Sequence, residues 1–142
     1  MEIGDFRGPA LVTVAYVALY YVLQTYSLRL KFRLAKEYRA RGERFDRYFG
    51  QDREMLAADR YQLNTLEHMP PFLILLWLHA VFVSPVGATI AGAIYVMSRV
   101  AYPFVLGRRV GGGPPMRVFP VTFTGYGVLV YLTATVIAAA LG

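Results

Sequence analysis

Residues 60–102 decide the fold, and they read RYQLNTLEHMPPFLILLWLHAVFVSPVGATIAGAIYVMSRVAY. Between Arg60 and Arg99 the only formally charged residue is Glu67, and residues 84–87, Ser-Pro-Val-Gly, are typical of a turn. A membrane-spanning helix needs about 20 predominantly apolar residues. The stretch therefore predicts two membrane helices that are joined by a tight turn.

The rest of the chain contains two more apolar runs of this kind. Residues 8–28 carry no charge, and residues 118–142 carry none either, so each run is long enough to cross a bilayer as a helix. With 56% hydrophobic residues among 142, four spans leave little room for a separate soluble domain. We predict an all-α integral membrane four-helix bundle, a single domain over residues 1–142, with helices near 8–36, 52–84, 87–107 and 117–141.

Positive charge is concentrated in two of the connections. Ten of the fifteen Lys and Arg residues lie in residues 29–60, and Arg108, Arg109 and Arg117 flank the third connection. Because loops rich in Lys and Arg stay on the cytoplasmic side, we predict that both connections are cytoplasmic and both termini are not. The net charge of +6 would also be compatible with a nucleic-acid-binding protein. Basic residues between long apolar runs are better explained by topology and a lipid surface, so we expect no nucleic-acid partner.

Several polar side chains are expected at membrane depth. Ionisable groups there cost about 2.5–3.5 kcal/mol each on insertion scales, so they are functional candidates. They follow the i, i+4, i+7 spacing of one helix face: Arg60, Asn64 and Glu67 on helix two, and Tyr95, Arg99 and Tyr102 on helix three. The spacing leaves two alternatives open. Either the two faces bind a polar ligand, or Glu67 and Arg99 form a structural ion pair that binds nothing.

The chain offers little sulfur or metal chemistry of its own. It has no cysteine, which excludes disulfides, thiolate metal ligands and a cysteine nucleophile. His68 and His79 have no carboxylate neighbours at ligand spacing, so we predict no metal site. Any thiol chemistry therefore requires a bound thiol.

A known family shares the motif on helices two and three. The motif reads Arg60-x-x-x-Asn64-Thr65-Leu66-Glu67-x-x-Pro70-Pro71-Phe72-Leu73, followed by Arg99-x-x-Tyr102. It resembles the MAPEG family, the membrane-associated proteins of eicosanoid and glutathione metabolism. The Asn-Thr-Leu-Glu and Pro-Pro-Phe-Leu segments are most similar to the microsomal glutathione transferase 3 branch. The resemblance implies four helices per subunit, a homotrimer, and glutathione bound between adjacent subunits near the cytoplasmic face.

The resemblance also implies roles for particular residues. The positions that match the glutathione ligands of the family are Arg60, Asn64, Glu67, Arg99 and Tyr102. Arg117, which precedes an apolar residue and Pro120, matches the arginine that faces the thiol, so it is the catalytic candidate. These residue types suit glutathione, because guanidinium groups bind carboxylates, a carboxylate binds an ammonium group, and a nearby cation favours a thiolate.

The implied activity is that of a glutathione S-transferase or glutathione-dependent peroxidase of detoxification, acting on lipophilic electrophiles or hydroperoxides in a bacterial inner membrane. The alternative is a non-catalytic lipid-binding or scaffold member, since some MAPEG proteins do no chemistry. His68 and Leu106 stand where some members have tyrosines. Arg33, Lys36 and Arg39 are alternatives for a basic residue of the first connection that leukotriene-forming relatives use in catalysis.

Overall fold

The structure, a computed structural model, describes residues 3–110 and 116–142. In these residues a 3-10 turn at Ile3–Phe6 precedes four helices: α1 Arg7–Ala40, α2 Arg53–Phe82, α3 Pro85–Leu106 and α4 Val118–Leu141. Each of the four helices is long and apolar enough to cross a membrane. The prediction of an all-α chain with four apolar helices is confirmed.

Helices α2 and α3 form the centre of the bundle. Each of these two contacts all three other helices. Aromatic rings fill the centre: Phe72 stacks on Tyr95 with ring centroids 4.1 Å apart, and Tyr16 lies 6.0 Å from the same ring. Large apolar side chains such as Leu11 and Phe104 are exposed on the outer surface. In a water-soluble protein such a surface would be a liability, whereas lipid tails solvate it.

The helix ends follow ordinary capping chemistry. The carboxylate of Asp52 accepts hydrogen bonds from the second and third amides of α2. Ser84 caps α3 through a bond from the amide of Gly87 at 3.0 Å, and Pro85 occupies the first helical position, which it favours. Helix α3 therefore starts two residues before the predicted boundary near 87. Helix α1 runs to Ala40, beyond the predicted end near 36, and the chain then turns at Gly42 with φ of 75°.

Contacts to the first turns of α2 hold the two basic connections in place. Both terminal nitrogens of Arg47 donate to the carboxylate of Asp59, at 2.9 and 2.8 Å. The hydroxyl of Tyr61 donates to the carbonyl of Gly107, just after α3. The amide of Val110 donates to a carbonyl at the start of α2, at 3.2 Å. The described residues of these connections therefore lie against the first turns of α2, next to its polar face.

Candidate functional site

Arg99 is a charged side chain buried between helices. Only 2% of its surface is exposed. Its Nη1 donates to Oδ1 of Asn64 on α2 at 2.8 Å, and its Cζ lies 5.2 Å from the ring centroid of Tyr95. One amide oxygen and one aromatic face do not neutralise a buried guanidinium group. Within residues 3–110 and 116–142, Arg99 thus lacks a carboxylate counter-ion.

A glycine on α4 makes room for this guanidinium group. A Cβ atom added at Gly125 would overlap Nη2 of Arg99 and come within 3.1 Å of its Cζ. Nη2 is buried and has no hydrogen-bond partner among the described residues. A buried donor without an acceptor costs free energy. Arg99 therefore presents an unused donor and an uncompensated charge where α2, α3 and α4 meet.

Arg60 and Glu67 lie on the outward face of α2. Both are exposed in the single chain, and neither forms an ion pair with any described residue. Asn64 is half-buried because it turns inward to Arg99. The ion pair between Glu67 and Arg99, which the spacing allowed, is not formed. Charged groups at membrane depth face a bundle interior or a polar cavity, so this face of α2 requires a cover.

Tyr102 completes the group. It is half-buried on α3 and lies within electrostatic range of Arg60, Glu67 and Arg99. The five residues for which the motif implied a ligand role are Arg60, Asn64, Glu67, Arg99 and Tyr102. Asn64 and Arg99 are hydrogen-bonded to each other, and Tyr102 interacts electrostatically with Arg60, Glu67 and Arg99. The five side chains combine two guanidinium groups, one carboxylate, one amide and one phenol. These functional groups are complementary to those of a zwitterion that carries carboxylates.

Residues 9–138 match the sequence profile of the MAPEG family. The chain belongs to the MAPEG family. Over 100 residues, 69% of this chain, it is also 33% identical to an uncharacterized protein of Synechocystis sp.. The match covers 66% of that relative, so the chain spans slightly less than two thirds of its length.

Membership of the MAPEG family indicates which ligand this cluster should be compared with. MAPEG proteins use glutathione, and the family includes glutathione transferases and peroxidases as well as non-catalytic members. The observed cluster contains donors and one carboxylate, which are the groups that complement glutathione.

Arg117 lies apart from the cluster in this MAPEG chain. It is exposed at the start of α4, and its Nε donates to the carbonyl of Val105 in the last turn of α3 at 2.8 Å. A cation at a helix C-terminus is favourable, because the free carbonyls there carry partial negative charge. No hydrogen bond joins Arg117 to the five clustered residues within the described chain. The contact with α3 nevertheless holds it one turn beyond Tyr102.

Arg33, Lys36 and Arg39, the three alternatives for a basic residue of the first connection, lie on the last turns of α1 and divide into two kinds. Arg33 is occupied, because it donates to Glu37 at 2.8 Å and to Glu54 at 2.6 Å. The side chains of Lys36 and Arg39 are exposed and have no polar partner among the described residues.

Sequence reasoning missed the glycine and the small polar groups around Arg99. Gly125 carries no chemistry of its own, so only the close approach of α4 reveals it. Ser98 accepts a weak bond from Nε of Arg99 at 3.4 Å. A small residue on α4 was the available signal, but its register against α3 cannot be read from one helix alone.

Proposed function

We propose that this MAPEG protein is a membrane-bound glutathione S-transferase or glutathione-dependent peroxidase, nearest to the microsomal glutathione transferase 3 branch. It works as a homotrimer on lipophilic electrophiles or hydroperoxides that enter from the bilayer. It belongs in a bacterial inner membrane, with its two basic connections in the cytoplasm and both termini on the other side.

The observation that carries the proposal is the unpaired guanidinium group of Arg99. Leaving a buried charge without a partner costs several kcal/mol, which is the reason such charges are usually paired. Among the described residues, Nη1 of Arg99 has an amide oxygen as its partner and Nη2 has none. A carboxylate supplied by a ligand would satisfy both the charge and the unused donor.

Glutathione matches the rest of the cluster by functional group. Its two carboxylates suit Arg99 and Arg60, its ammonium group suits Glu67, and its amide groups suit Asn64 and Tyr102. The order of these groups along α2 and α3 follows the motif. A single acidic side chain among two arginines matches a ligand with one cation and two anions.

We propose a trimer because a single chain leaves two charged side chains of α2 exposed. Arg60 and Glu67 are exposed at membrane depth on the same face of α2. Lipid cannot satisfy them, so a second copy of the chain is the cover that this proposal requires. Glutathione then lies at the interface, and Lys36 or Arg39 of a neighbouring copy can approach it.

Arg117 has the catalytic role in the proposal. A guanidinium group beside the sulfur favours the thiolate over the thiol without accepting a proton. In conjugation the thiolate attacks an electrophilic carbon and displaces its leaving group, while the thiol proton passes to solvent. The electrophile needs only apolar contacts, because it arrives from lipid.

Titration calorimetry with glutathione tests the ligand role. Removing one member of a charge-assisted contact should weaken binding about ten- to a hundredfold, so we expect that loss in Arg60→Leu and in Glu67→Gln. Arg41→Leu is the control, since Arg41 is exposed on the first connection, away from the cluster. Unchanged affinity in both site variants, with the oligomer intact, would refute the proposal.

Native mass spectrometry in mild detergent tests the assembly. The expected mass is three times that of the chain, and the trimer should bind up to three glutathione molecules. A protein that is monomeric under conditions where it remains folded would contradict the intersubunit site.

A second candidate is a non-catalytic lipid-binding member, and the position of Arg117 favours it. The hydrogen bond of Arg117 to Val105 and its lack of contact with the cluster are what a structural arginine would show. Glutathione binding without any thiolate signal would select this candidate over the enzyme.

A further inference from the structure

Two aromatic side chains are exposed together on the first connection. Tyr48 is 83% exposed and Phe49 is 90% exposed, and we call this pair the aromatic tip. The carboxylate of Asp46 accepts hydrogen bonds from both of their amides, at 3.0 and 2.9 Å, so the backbone of the tip is held in an Asx turn. Two adjacent exposed rings outside the apolar helices are the kind of surface that marks a binding partner.

Contacts between α1 and α2 locate the edge of the apolar layer near the tip. The charge-free stretch 8–28 of α1 ends one residue after Ser27. Oγ of Ser27 donates to the carbonyl of Ala58 on α2 at 3.2 Å. Ala58 and the adjacent Asp59 therefore lie at the level where the charge-free stretch ends, which is the boundary between the hydrocarbon and the headgroups.

Asp59 holds the tip at this level through Arg47. Both terminal nitrogens of Arg47 donate to the carboxylate of Asp59, and the two side chains are only 28% and 21% exposed. Cζ of the same guanidinium group lies 5.9 Å from the ring centroid of Tyr48. Helix α1 continues to Ala40, about 18 Å past the charge-free stretch, so the connection folds back toward the bilayer before α2 begins.

The position of Asp59 around α2 favours lipid over a second copy of the chain as the partner. At about 100° per residue, Asp59 lies about 100° from Arg60 and about 80° from Glu67. The tip is therefore held beside the face that the proposed trimer covers rather than on it. Lys and Arg outnumber Asp and Glu by nine to four in residues 29–53, and such a surface attracts anionic headgroups. Aromatic rings favour the same depth, because they can leave water while a polar edge stays hydrated.

We propose that the aromatic tip inserts its two rings among the lipid headgroups of the leaflet that adjoins the basic connections. The ring of Tyr48 leaves water while its hydroxyl stays at headgroup level, and the ring of Phe49 is buried beside it. Arg47 and Asp59 are positioning residues, because their ion pair sets the depth of the tip. The anchor fixes the first connection to the bilayer surface and does not rest on glutathione binding.

Fluorescence quenching in nanodiscs of phosphatidylcholine and phosphatidylglycerol tests the proposal. The chain has a single tryptophan, Trp77, so the difference between Tyr48→Trp and the unmodified chain reports the added ring. One quencher is a lipid that carries a nitroxide on its headgroup, and the other is iodide in the water. We expect the lipid to quench the added tryptophan of Tyr48→Trp about threefold more strongly than that of Glu43→Trp, and iodide to show the reverse order.

Glu43→Trp is the matched control, because Glu43 lies on the same connection but next to the end of α1. Its side chain is 57% exposed, and its amide donates to the carbonyl of Tyr38 at 2.9 Å. Equal lipid quenching at the two positions, or strong iodide quenching of Tyr48→Trp without lipid quenching, would place the tip in water and overturn the proposal. Protection of Tyr48→Trp from both quenchers would show that a second copy covers the tip, and would also overturn it.

Removing the ion pair tests whether Arg47 and Asp59 set the depth of the tip. Arg47→Gln, combined with Tyr48→Trp, should reduce quenching by the headgroup lipid about twofold or more, because the bidentate contact is lost. Asp59→Asn should also reduce it, although this change makes the surface more positive and diffuse attraction would predict an increase. Arg44→Gln makes the same charge change as Arg47→Gln at an exposed arginine of the same connection and should leave the quenching unchanged. An equal reduction in Arg44→Gln and Arg47→Gln, or no reduction in Arg47→Gln, would overturn the positioning role.

Discussion

At the scale of single residues, Arg99 depends on Gly125. Alanine at this position would add a Cβ that overlaps Nη2 of Arg99, and the buried guanidinium group can move away only by disturbing its bond to Asn64. Gly125→Ala should therefore reduce the free energy of unfolding by about 1–3 kcal/mol, the usual cost of overpacking. Thermal unfolding in detergent would measure this as a lower melting temperature.

Gly127→Ala is the matched control on the same helix. No heavy atom lies within 4 Å of a Cβ added at Gly127. Alanine also has the higher helix propensity, so the control should be neutral or slightly stabilising. Equal destabilisation by the two substitutions would show that Arg99 is not constrained by α4.

Arg117 supplies a second prediction at this scale. Arg117→Ala should lower the proton release and the ultraviolet thiolate absorbance that follow mixing with glutathione, about tenfold if the arginine shifts the thiol pKa by one unit. Affinity for an S-alkyl glutathione, which has no thiol to ionise, should change much less. Arg117→Lys should restore part of the signal, because it keeps the charge but loses the planar fork.

A normal thiolate signal and a normal conjugation rate in Arg117→Ala would defeat this role. The catalytic cation would then be Lys36 or Arg39, because Arg33 is already bound by Glu37 and Glu54.

At the scale of elements, the connection between α1 and α2 contains a turn that responds to acid. The carboxylate of Asp46 accepts hydrogen bonds from the amides of Tyr48 at 3.0 Å and Phe49 at 2.9 Å. These amides, that of Phe49 first, hold the pKa of Asp46 below its ordinary value. The stabilisation is complete above the unfolded pKa and is lost as the pH falls through the lower folded pKa.

Nuclear magnetic resonance in micelles can check this linkage. The amide proton shifts of Tyr48 and Phe49 should titrate together, with a midpoint below the ordinary pKa of an aspartate. The same resonances in Asp46→Asn should not titrate in this range. A midpoint at or above the ordinary value would show that the turn does not stabilise the carboxylate.

At the scale of the whole molecule, the orientation in the membrane can be tested with little ambiguity. The chain has no cysteine, so each introduced cysteine is a unique label site. Phe49 on the first connection is 90% exposed, and Leu141 at the far end of α4 is 85% exposed. A membrane-impermeant maleimide should label Leu141→Cys in intact cells and label Phe49→Cys only after permeabilisation. The reverse pattern would invert the proposed topology.

The amino-acid sequence by itself determined the number, length and class of the elements. Hydrocarbon thickness sets the length of an apolar run, and a spanning segment must satisfy its own backbone hydrogen bonds, so four predominantly apolar runs were predicted to form four helices. The polar faces were equally readable, because Arg60, Asn64 and Glu67 repeat with the helical period. The family motif on these faces predicted a cluster that the structure brings together around Arg99 and Asn64.

The tertiary structure alone decided which charges meet. Helical spacing allowed Glu67 to pair with Arg99, yet Arg99 turns to Asn64 and Glu67 points outward. The packing of the helices also places Arg33 in an ion pair with Glu54, and it places Gly125 where a guanidinium group needs space. The reason is geometric: the period of a helix specifies which residues share a face, but the rotation and approach of two packed helices depend on all the side chains between them.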